Sequence, residues 1–103
     1  MDLGLKGKGV IVTGASRGIG RATALEFAHE GANLAICARG QDALEKTCSA
    51  LEAQGVKAYA QVCDVSDGVA LNRFLDSAKS ALGRIDVLIN NPSGFGTSDN
   101  EAG

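Results

Sequence analysis

Short apolar runs alternate along the chain with longer segments in which apolar residues recur every three or four positions. The runs predict β-strands at Gly9–Thr13, Leu34–Ala38, Ala58–Cys63 and Ile85–Asn90. Strands that alternate with helices are typical of βαβ units, in which helices cover both faces of a parallel sheet. The pattern therefore predicts an α/β fold with a doubly wound parallel sheet.

The segments between the second, third and fourth runs have the spacing of amphipathic helices, and glycines mark the expected helix ends. Gly31, Gly55 and Gly83 lie where a left-handed residue would end a helix before the next strand. Ser66 or Asp67 is expected to cap the third helix, because a short side-chain oxygen can accept a bond from a free backbone N–H. The periodic positions are Leu44, Thr47, Cys48, Leu51, Leu71, Phe74, Leu75, Ala78 and Leu82.

Composition limits the class of protein. A chain of 103 residues with 45% hydrophobic content can build one modest core, so residues 1–103 are interpreted as one domain. The net charge is −2 and the basic residues are scattered, which argues against nucleic acid as a partner. No apolar stretch approaches the roughly 20 residues that span a bilayer, and the first residues do not resemble a signal peptide. We expect a cytoplasmic protein with no membrane partner.

The cysteines and the one histidine offer little metal or disulfide chemistry. Cys37, Cys48 and Cys63 are odd in number and too far apart for a disulfide framework or a C-x-x-C metal site. Each lies in an apolar context, so buried reduced thiols are expected. His29 has no second ligand at metal-binding spacing and is interpreted as a surface or capping residue. No metal site is predicted.

A glycine-rich segment, residues 13–20 and here called the glycine loop, joins the first strand to a helix that begins near Gly18. Gly14 can make the sharp turn, while Gly18 and Gly20 lack side chains where backbone would approach a phosphate or the sheet. The free N–H groups at the start of the helix would point at a pyrophosphate. A merely structural turn is the alternative. A Walker phosphate loop is disfavoured because no Gly-Lys-Ser/Thr follows.

Three motifs in order resemble those of the short-chain dehydrogenase/reductase family, and the resemblance covers nearly the whole chain. They are Thr13-Gly14-Ala15-Ser16-Arg17-Gly18-Ile19-Gly20, Asp64-Val65 after the third strand, and Asn90-Asn91 after the fourth. The resemblance implies a Rossmann-type sheet with four strands in the order 3-2-1-4. It also implies that this segment is the NAD(P)-binding half of the fold and that the C-terminal half is absent.

The same resemblance implies roles for residues near the cofactor. Ser16, Arg17 and Ile19 would contact the cofactor phosphates and ribose, mainly through backbone groups. Asp64, with Val65 beside it, would accept a hydrogen bond from the adenine amino group, and Asn90 would lie near the adenosine ribose. Taken alone, Asp64 would be a solvated strand-end carboxylate and Asn90 a turn residue. The expected cofactor-binding residues are Gly14, Ser16, Arg17, Gly18, Ile19, Gly20, Arg39, Asp64, Val65 and Asn90.

Arg39 favours NADP(H) over NAD(H). In proteins that bind NAD, an acidic residue usually stands at the end of the second strand and binds the ribose hydroxyls. In this chain the second strand is followed by Arg39. Arg39, with help from Arg17, could meet a 2′-phosphate, and each charge-assisted contact would contribute about 1.5–3 kcal/mol. The alternative is a surface cation that pairs with Asp42.

The stretch after the fourth strand departs from the family pattern. Family members usually have Asn-Asn-Ala-Gly, whereas this chain has Asn90-Asn91-Pro92-Ser93-Gly94. Pro92 lacks a backbone N–H and fixes φ, so the loop should follow a different path. Residues 91–103 are rich in turn-forming residues and are interpreted as a loop that leads to the missing half.

No catalytic residue can be assigned. The family uses a Ser and a Tyr-x-x-x-Lys pair beyond the fourth strand, but the only tyrosine here is Tyr59, and Cys63 stands four positions later. With the half absent, Val87 and Ile89 would lie on a bare edge strand, and the segment alone should aggregate or be partly unfolded.

The resemblance implies an NADPH-dependent carbonyl reductase, 3-oxoacyl reductase or alcohol dehydrogenase. Its partner would be a small carbonyl or alcohol substrate. The intact protein would be a homo-oligomer. Two alternatives remain: a non-catalytic nucleotide-binding sensor, or a structural half-domain that a companion C-terminal fragment completes.

Overall fold

The computed structural model describes residues 4–91. Four strands form one sheet in the order β3-β2-β1-β4, and each neighbouring pair is parallel, which confirms the predicted order. The elements are β1 Gly9–Thr13, α1 Gly18–His29, β2 Asn33–Ala38, α2 Gln41–Glu52, β3 Ala58–Val62, α3 Gly68–Leu82 and β4 Val87–Ile89.

The two central strands alternate between two cores, one on each face of the sheet. In β1, Val10 and Val12 belong to a cluster with α1 and α2, while Ile11 belongs to a cluster with α3. In β2, Leu34 and Ile36 follow the first pattern. Because successive side chains of a strand point to opposite faces, helices cover both sides. The predicted doubly wound arrangement is confirmed.

The helices bury the faces that their periodicity predicts. α1 buries Ala24 and Ala28, whose small side chains let the helix lie close to the sheet. α2 buries Leu44, Thr47 and Leu51 on the same side of the sheet. On the opposite side α3 buries Phe74, Ala78 and Leu82. Within residues 4–91 no helix is both long and apolar enough to cross a bilayer.

The ends of the helices match the turn chemistry read from the sequence. The Asp67 carboxylate caps α3 by accepting hydrogen bonds from the N–H groups of Val69 and Ala70. Ser66 is not the cap, because its hydroxyl donates to Asp64 instead. Gly83 ends α3 with a φ of 81°, in the left-handed region expected of a helix-terminating glycine.

The fourth strand is shorter than predicted. Ile85–Asn90 was the predicted range, but the ladder extends only over Val87–Ile89. The backbone N–H of Gly9 donates to the Asp86 side chain rather than to a backbone carbonyl, and the N–H of Asn91 donates to the Thr13 hydroxyl. Side chains thus accept backbone N–H groups at both ends of this strand, although the N–H of Asp86 still donates to the Gly9 carbonyl. β2 begins and β3 ends one residue earlier than predicted.

Within residues 4–91 β4 is an edge strand of the sheet, which is where Val87 and Ile89 were expected. Their side chains are half-buried against the cluster beneath α1 and α2, while Leu88 between them is 54% exposed. Asn91 is the last residue of the described range, and the rest of the predicted loop, including Pro92, lies outside the described residues.

The cysteines are free, and two of them meet in the core beneath α3. Burial, followed by the neighbouring Cys63 thiol, raises the pKa of the Cys37 thiol to about 12. Cys37 and Cys63 are buried as predicted, whereas Cys48 is only half-buried and donates to the carbonyl of Ala58 at 3.8 Å. Cys48 is less covered than predicted because it lies at the margin of the buried face of α2.

Candidate dinucleotide-binding site

The residues that follow the four strands meet at the carboxyl end of the sheet. Thr13 pairs with Cys37 at the ends of β1 and β2, and Ala38 pairs with Val62 at the ends of β2 and β3. Because the strands are parallel, the glycine loop after β1 lies at the same end of the sheet as Arg39, Asp64 and Asn90, which follow β2, β3 and β4. This end of an open α/β sheet is where such folds bind ligands.

The glycine loop uses its glycines for two different purposes. Gly14 and Gly18 have φ values of 63° and 61°, a left-handed conformation that glycine adopts without strain. Gly20 is required by packing instead: a Cβ there would collide with the carbonyl oxygen of Gly14 and lie 2.7 Å from Asn91 Nδ2. The predicted turn at Gly14 is present, and Gly20 makes a close approach, although to the loop itself. At Gly18 no neighbouring atom lies within 4 Å of an added Cβ among the described residues, so glycine there suits the left-handed φ instead.

Among residues 4–91, the N-terminus of α1 has no side-chain cap for its first N–H groups. Arg17 occupies the N-cap position with extended backbone, and its side chain makes no capping hydrogen bond. No acidic residue lies in the first turn. The positive end of the helix dipole is thus uncompensated by nearby side chains, which suits an anion.

Ser16 provides a test of whether an anionic group fits here. Its Oγ is buried and has no hydrogen-bond partner among residues 4–91. A buried hydroxyl without a partner is unfavourable by about 1–3 kcal/mol, and phosphate oxygens would accept its hydrogen. Around Gly18 no heavy atom would lie within 4 Å of an added Cβ, so the loop is open on that side. The residues present fit a diphosphate.

Thr13 joins the ends of β1 and β4. Its Oγ1 donates to Asn90 Oδ1 at 2.8 Å and accepts the N–H of Asn91 at 2.9 Å. The Asn91 Nδ2 donates to the Gly14 carbonyl at 3.1 Å. Thr13 and Asn91 thus fix the position of Asn90 and of the glycine loop. They stood within the sequence motifs but were not chosen as site residues, because nothing local in the sequence indicates this pairing.

Asp64 is held in a local turn. Its Oδ1 accepts hydrogen bonds from the Ser66 hydroxyl at 2.7 Å and from the Ser66 N–H at 3.0 Å. The Ser66 hydroxyl, then the Ser66 N–H, and more weakly the charge of Arg39 hold the pKa of Asp64 below its usual value. Both bonds use one oxygen, so within the described range Oδ2 can accept a further donor. Val65 is half-buried against the cluster under α3.

The two arginines at this end have no carboxylate partner. Arg17 and Arg39 are exposed, and the ion pair described within residues 4–91 is that between Arg84 and Asp86 at the opposite end of the sheet. Arg39 does not form the alternative pair with Asp42. Ile19, in the first turn of α1, is 77% exposed, which is unusual for a large apolar side chain. Over residues 4–91 no group of three His, Cys, Asp or Glu residues could hold a metal ion.

Comparison with known proteins decides the family. A family model described as short chain dehydrogenase matches residues 8–102. The chain belongs to the short chain dehydrogenase family. The Rossmann-type sheet in the order 3-2-1-4, predicted from the resemblance, is that of this family of oxidoreductases, and the described strands are its N-terminal part.

Curated members of the short chain dehydrogenase family share more than a third of their residues with this chain over the matched part. 7alpha-Hydroxysteroid dehydrogenase of Escherichia coli K12 is 37% identical over 95 residues, which are 92% of this chain and 37% of the relative. The 3-oxoacyl-[acyl-carrier-protein] reductase FabG of Staphylococcus epidermidis is 40% identical over 85 residues, 82% of this chain and 35% of the relative. The chain therefore spans about a third of the length of these relatives.

Solved structures of the family have the same fold over this range. A hydroxysteroid dehydrogenase from Escherichia coli matches with a TM-score of 0.84 and 37% identity, covering 89% of this chain and 39% of that one. An NAD+-bound xylitol dehydrogenase matches with a TM-score of 0.79 and 40% identity, covering 82% and 32%. This short chain dehydrogenase chain thus corresponds to the N-terminal part of the fold of these larger relatives.

Proposed function

We propose that this chain forms the cofactor-binding part of an NADPH-dependent oxidoreductase that acts on a small carbonyl compound or alcohol. The observation that carries the proposal is the set of unused polar groups at the carboxyl end of the sheet. Arg17, Arg39 and Ser16 Oγ have no ionic or hydrogen-bonding side-chain partner among residues 4–91. A buried hydroxyl without a partner is expected where a ligand supplies one, and two exposed cations beside it favour an anionic ligand.

The glycine loop would hold the diphosphate. Gly14 and Gly18 turn the chain so that backbone N–H groups at the start of α1 face outward, and Ser16 adds a hydroxyl in need of an acceptor. Several N–H donors around one phosphate would each make a charge-assisted hydrogen bond. Ile19 would cover the bound cofactor with its exposed side chain.

Arg39 would select the phosphorylated cofactor. It follows β2, where an acidic residue would instead bind the ribose hydroxyls of NAD. Its charge helps to lower the pKa of Asp64, and it has no ion pair of its own in the described range. A 2′-phosphate could therefore form an ion pair with Arg39, and Arg17 could form a second one. Because one similar structure is an NAD+-bound enzyme, cofactor preference in this family has to be tested for each chain.

Asp64 and Asn90 would hold the adenosine. Asp64 Oδ2 is left free by the turn with Ser66 and could accept the adenine amino group. The Asn90 side chain is fixed by Thr13, so the ribose would meet a rigid edge. Val65 would line the adenine side.

When bound, a nicotinamide dinucleotide supplies hydride-transfer chemistry. The 103 residues contain no Tyr-x-x-x-Lys sequence, so the groups that move the substrate proton would lie outside them. We propose that residues 1–103 are one partial domain of a longer cytoplasmic protein, with residues 91–103 leading to the remainder. We also propose that the whole protein is a homo-oligomer. A nucleotide sensor without catalysis is the second candidate; a whole-protein sequence that lacks Tyr-x-x-x-Lys would favour it.

Replacing Arg39 by Asp tests the proposal. We expect the Kd for NADPH, measured by calorimetry, to rise about tenfold or more, which is the loss of one charge-assisted contact, while the Kd for NADH changes less. Arg73→Asp, at an exposed position on α3, is the matched control and should change neither value. Equal losses of NADPH and NADH binding on Arg39→Asp would contradict the cofactor assignment.

A further inference from the structure

Thr47 is a fully buried polar residue in the middle of α2. Its exposed fraction is 0%, and its neighbours on the buried face, Leu44 and Leu51, are apolar. Burying a hydroxyl among apolar side chains is unfavourable unless the hydroxyl is hydrogen bonded. A leucine or alanine would suit this position if packing were its only role. The partners of the Thr47 hydroxyl therefore indicate why it is there.

Those partners belong to the glycine loop and to α1. Thr47 Oγ1 donates to the backbone carbonyl of Ser16 at 3.3 Å, and the Arg21 Nε donates to Thr47 Oγ1 at 3.2 Å. The guanidinium of Arg21 can only donate, so the Thr47 oxygen must accept from it. The single Thr47 hydrogen is then free to bond with Ser16. Arg21 thus orients the hydroxyl, and the hydroxyl holds the loop.

The bond to Ser16 fixes the direction of the next peptide group. No peptide bond in the described range is cis, and in a planar trans peptide the C=O and N–H point in opposite directions. Because the Ser16 carbonyl points at Thr47, the N–H of Arg17 must point away from α2. Arg17 is the N-cap of α1, so this N–H belongs to the group of donors proposed to meet the diphosphate.

We propose that Thr47 is a positioning residue of the dinucleotide site, which holds the Ser16–Arg17 peptide in the orientation that presents its N–H to the diphosphate. Arg21 acts through Thr47 by orienting the hydroxyl. This inference rests on the proposed function. Since the diphosphate is common to NADPH and NADH, Thr47 should affect both cofactors alike, whereas Arg39 should affect NADPH selectively.

Two substitutions separate the hydroxyl from the packing. Thr47→Val keeps the shape of the side chain and removes the hydroxyl, while Thr47→Ser keeps the hydroxyl and removes a methyl group. We expect Thr47→Val to raise the Kd for NADPH and for NADH by the same factor, about three- to tenfold, as for the loss of one hydrogen bond. Thr47→Ser should stay within about twofold of the unchanged protein. Thermal unfolding of each variant reports its packing separately from its binding.

A double-mutant cycle tests the part assigned to Arg21. Arg21→Met keeps an apolar stem and removes the Nε donor. We expect it to raise the Kd for both cofactors, but by less than Thr47→Val does. The double variant with Thr47→Val should bind no more weakly than Thr47→Val alone, because both changes break the same chain of hydrogen bonds. If Thr47→Val does not fold, the other two variants still test the proposal: Arg21→Met should bind both cofactors more weakly, and Thr47→Ser should retain binding.

Each outcome bears on one of the two proposals. Unchanged binding in Thr47→Val, or an equal loss in Thr47→Ser, would overturn the positioning role. Additive losses in the double variant, or a loss on Arg21→Met confined to NADPH, would show that Arg21 acts on the cofactor directly. If the unchanged protein bound neither NADPH nor NADH, the proposed function itself would be wrong, and the role of Thr47 with it.

Discussion

The two ends of the central sheet treat their polar groups in opposite ways. At the amino end the Asp86 carboxylate accepts the N–H of Gly9 at 2.9 Å and two hydrogen bonds from the Arg84 guanidinium at 2.8 and 2.9 Å. At the carboxyl end, within residues 4–91, Arg17 and Arg39 have no carboxylate partner and Ser16 Oγ has no hydrogen-bond partner. Within the described residues, Asp86 and Arg84 are satisfied by each other and by Gly9, whereas Arg17, Arg39 and Ser16 Oγ have no such partners.

This difference separates a contribution to folding from a contribution to binding. The bonds around Asp86 join the starts of β1 and β4, and the backbone N–H of Asp86 returns a hydrogen bond to the Gly9 carbonyl at 2.7 Å. They favour the folded state directly. Unpartnered groups do the reverse: a buried hydroxyl such as that of Ser16 opposes folding until a ligand is bound. Substitutions at the two ends should therefore change different measurements.

The largest effect should come from adding a methyl group to the tightly packed glycines, one at each end. Gly20→Ala places a Cβ against the Gly14 carbonyl, and Gly9→Ala places one against the Arg84 carbonyl. Each contact is with backbone that cannot easily move, so we expect each variant to lose about 3 kcal/mol of unfolding free energy in urea. Only Gly20→Ala should also weaken NADPH binding by the folded molecules.

Gly68→Ala is the control for both glycine substitutions. It lies at the start of α3 with no heavy atom within 4 Å of an added Cβ, and its stability should change by less than about 0.5 kcal/mol. Weakened NADPH binding by folded Gly9→Ala would show that the two ends of the sheet are not independent. It would contradict the assignment of folding to the amino end and of binding to the carboxyl end.

A smaller effect is expected at the hydroxyl that joins β1 to β4. Thr13→Val leaves the N–H of Asn91 and the side-chain oxygen of Asn90 without their partner, which should lower the unfolding free energy by about 1–3 kcal/mol. Because these groups lie at the carboxyl end, NADPH binding should weaken too. Thr13→Ser keeps the hydroxyl and should retain binding. A Thr13→Val variant with normal binding would mean that Asn90 does not need Thr13.

The smallest effect concerns acid stability at the amino end. The Arg84 guanidinium, followed by the N–H of Gly9, lowers the pKa of Asp86 to about 2 from an ordinary value of 3.8. A lowered pKa means that the stabilisation is complete above about pH 4 and is lost as the pH falls through 2. Asp86→Asn should therefore be less stable at pH 7 and show a weaker further loss between pH 4 and 2, measured by thermal unfolding.

Asp64 at the carboxyl end also has a lowered pKa, so some acid dependence should persist in Asp86→Asn. Asp64→Asn provides the matched comparison, since it removes the acid dependence that comes from Asp64 and retains the bonds around Asp86. An unchanged acid profile in Asp86→Asn would contradict the role given to the amino end.

The sequence predicted most of the fold because its signals are local. Alternation along β1 and β2, periodicity in α2 and α3, and the helix-ending Gly31, Gly55 and Gly83 all act within a few residues. Errors appeared where a distant side chain took over a backbone role. At the two ends of β4, which is shorter than predicted, the Asp86 carboxylate and the Thr13 hydroxyl accept the N–H groups of Gly9 and Asn91.

The sequence predicted which residues meet at the site, but not the contacts that they make with one another. The motifs indicated which residues would meet at the carboxyl end, since parallel strands bring their ends together. No spacing rule predicted that Thr47 would bond to Ser16, or that Cys37 would meet Cys63. Those contacts depend on how α2 docks and how β2 and β3 align, which are properties of the assembled sheet. The preference for NADPH follows from Arg39 and remains a prediction.

The most direct test of the difference between the two ends is an NMR titration of the 15N-labelled protein with NADPH. We expect saturable shifts of the backbone amides of the glycine loop, Arg39, Asp64 and Asn91, with little change at Gly9, Arg84 and Asp86. NADH should cause similar shifts in the loop and smaller ones at Arg39. No shifts, or shifts centred on Gly9 and Asp86, would contradict the assignment of the carboxyl end as a dinucleotide-binding site.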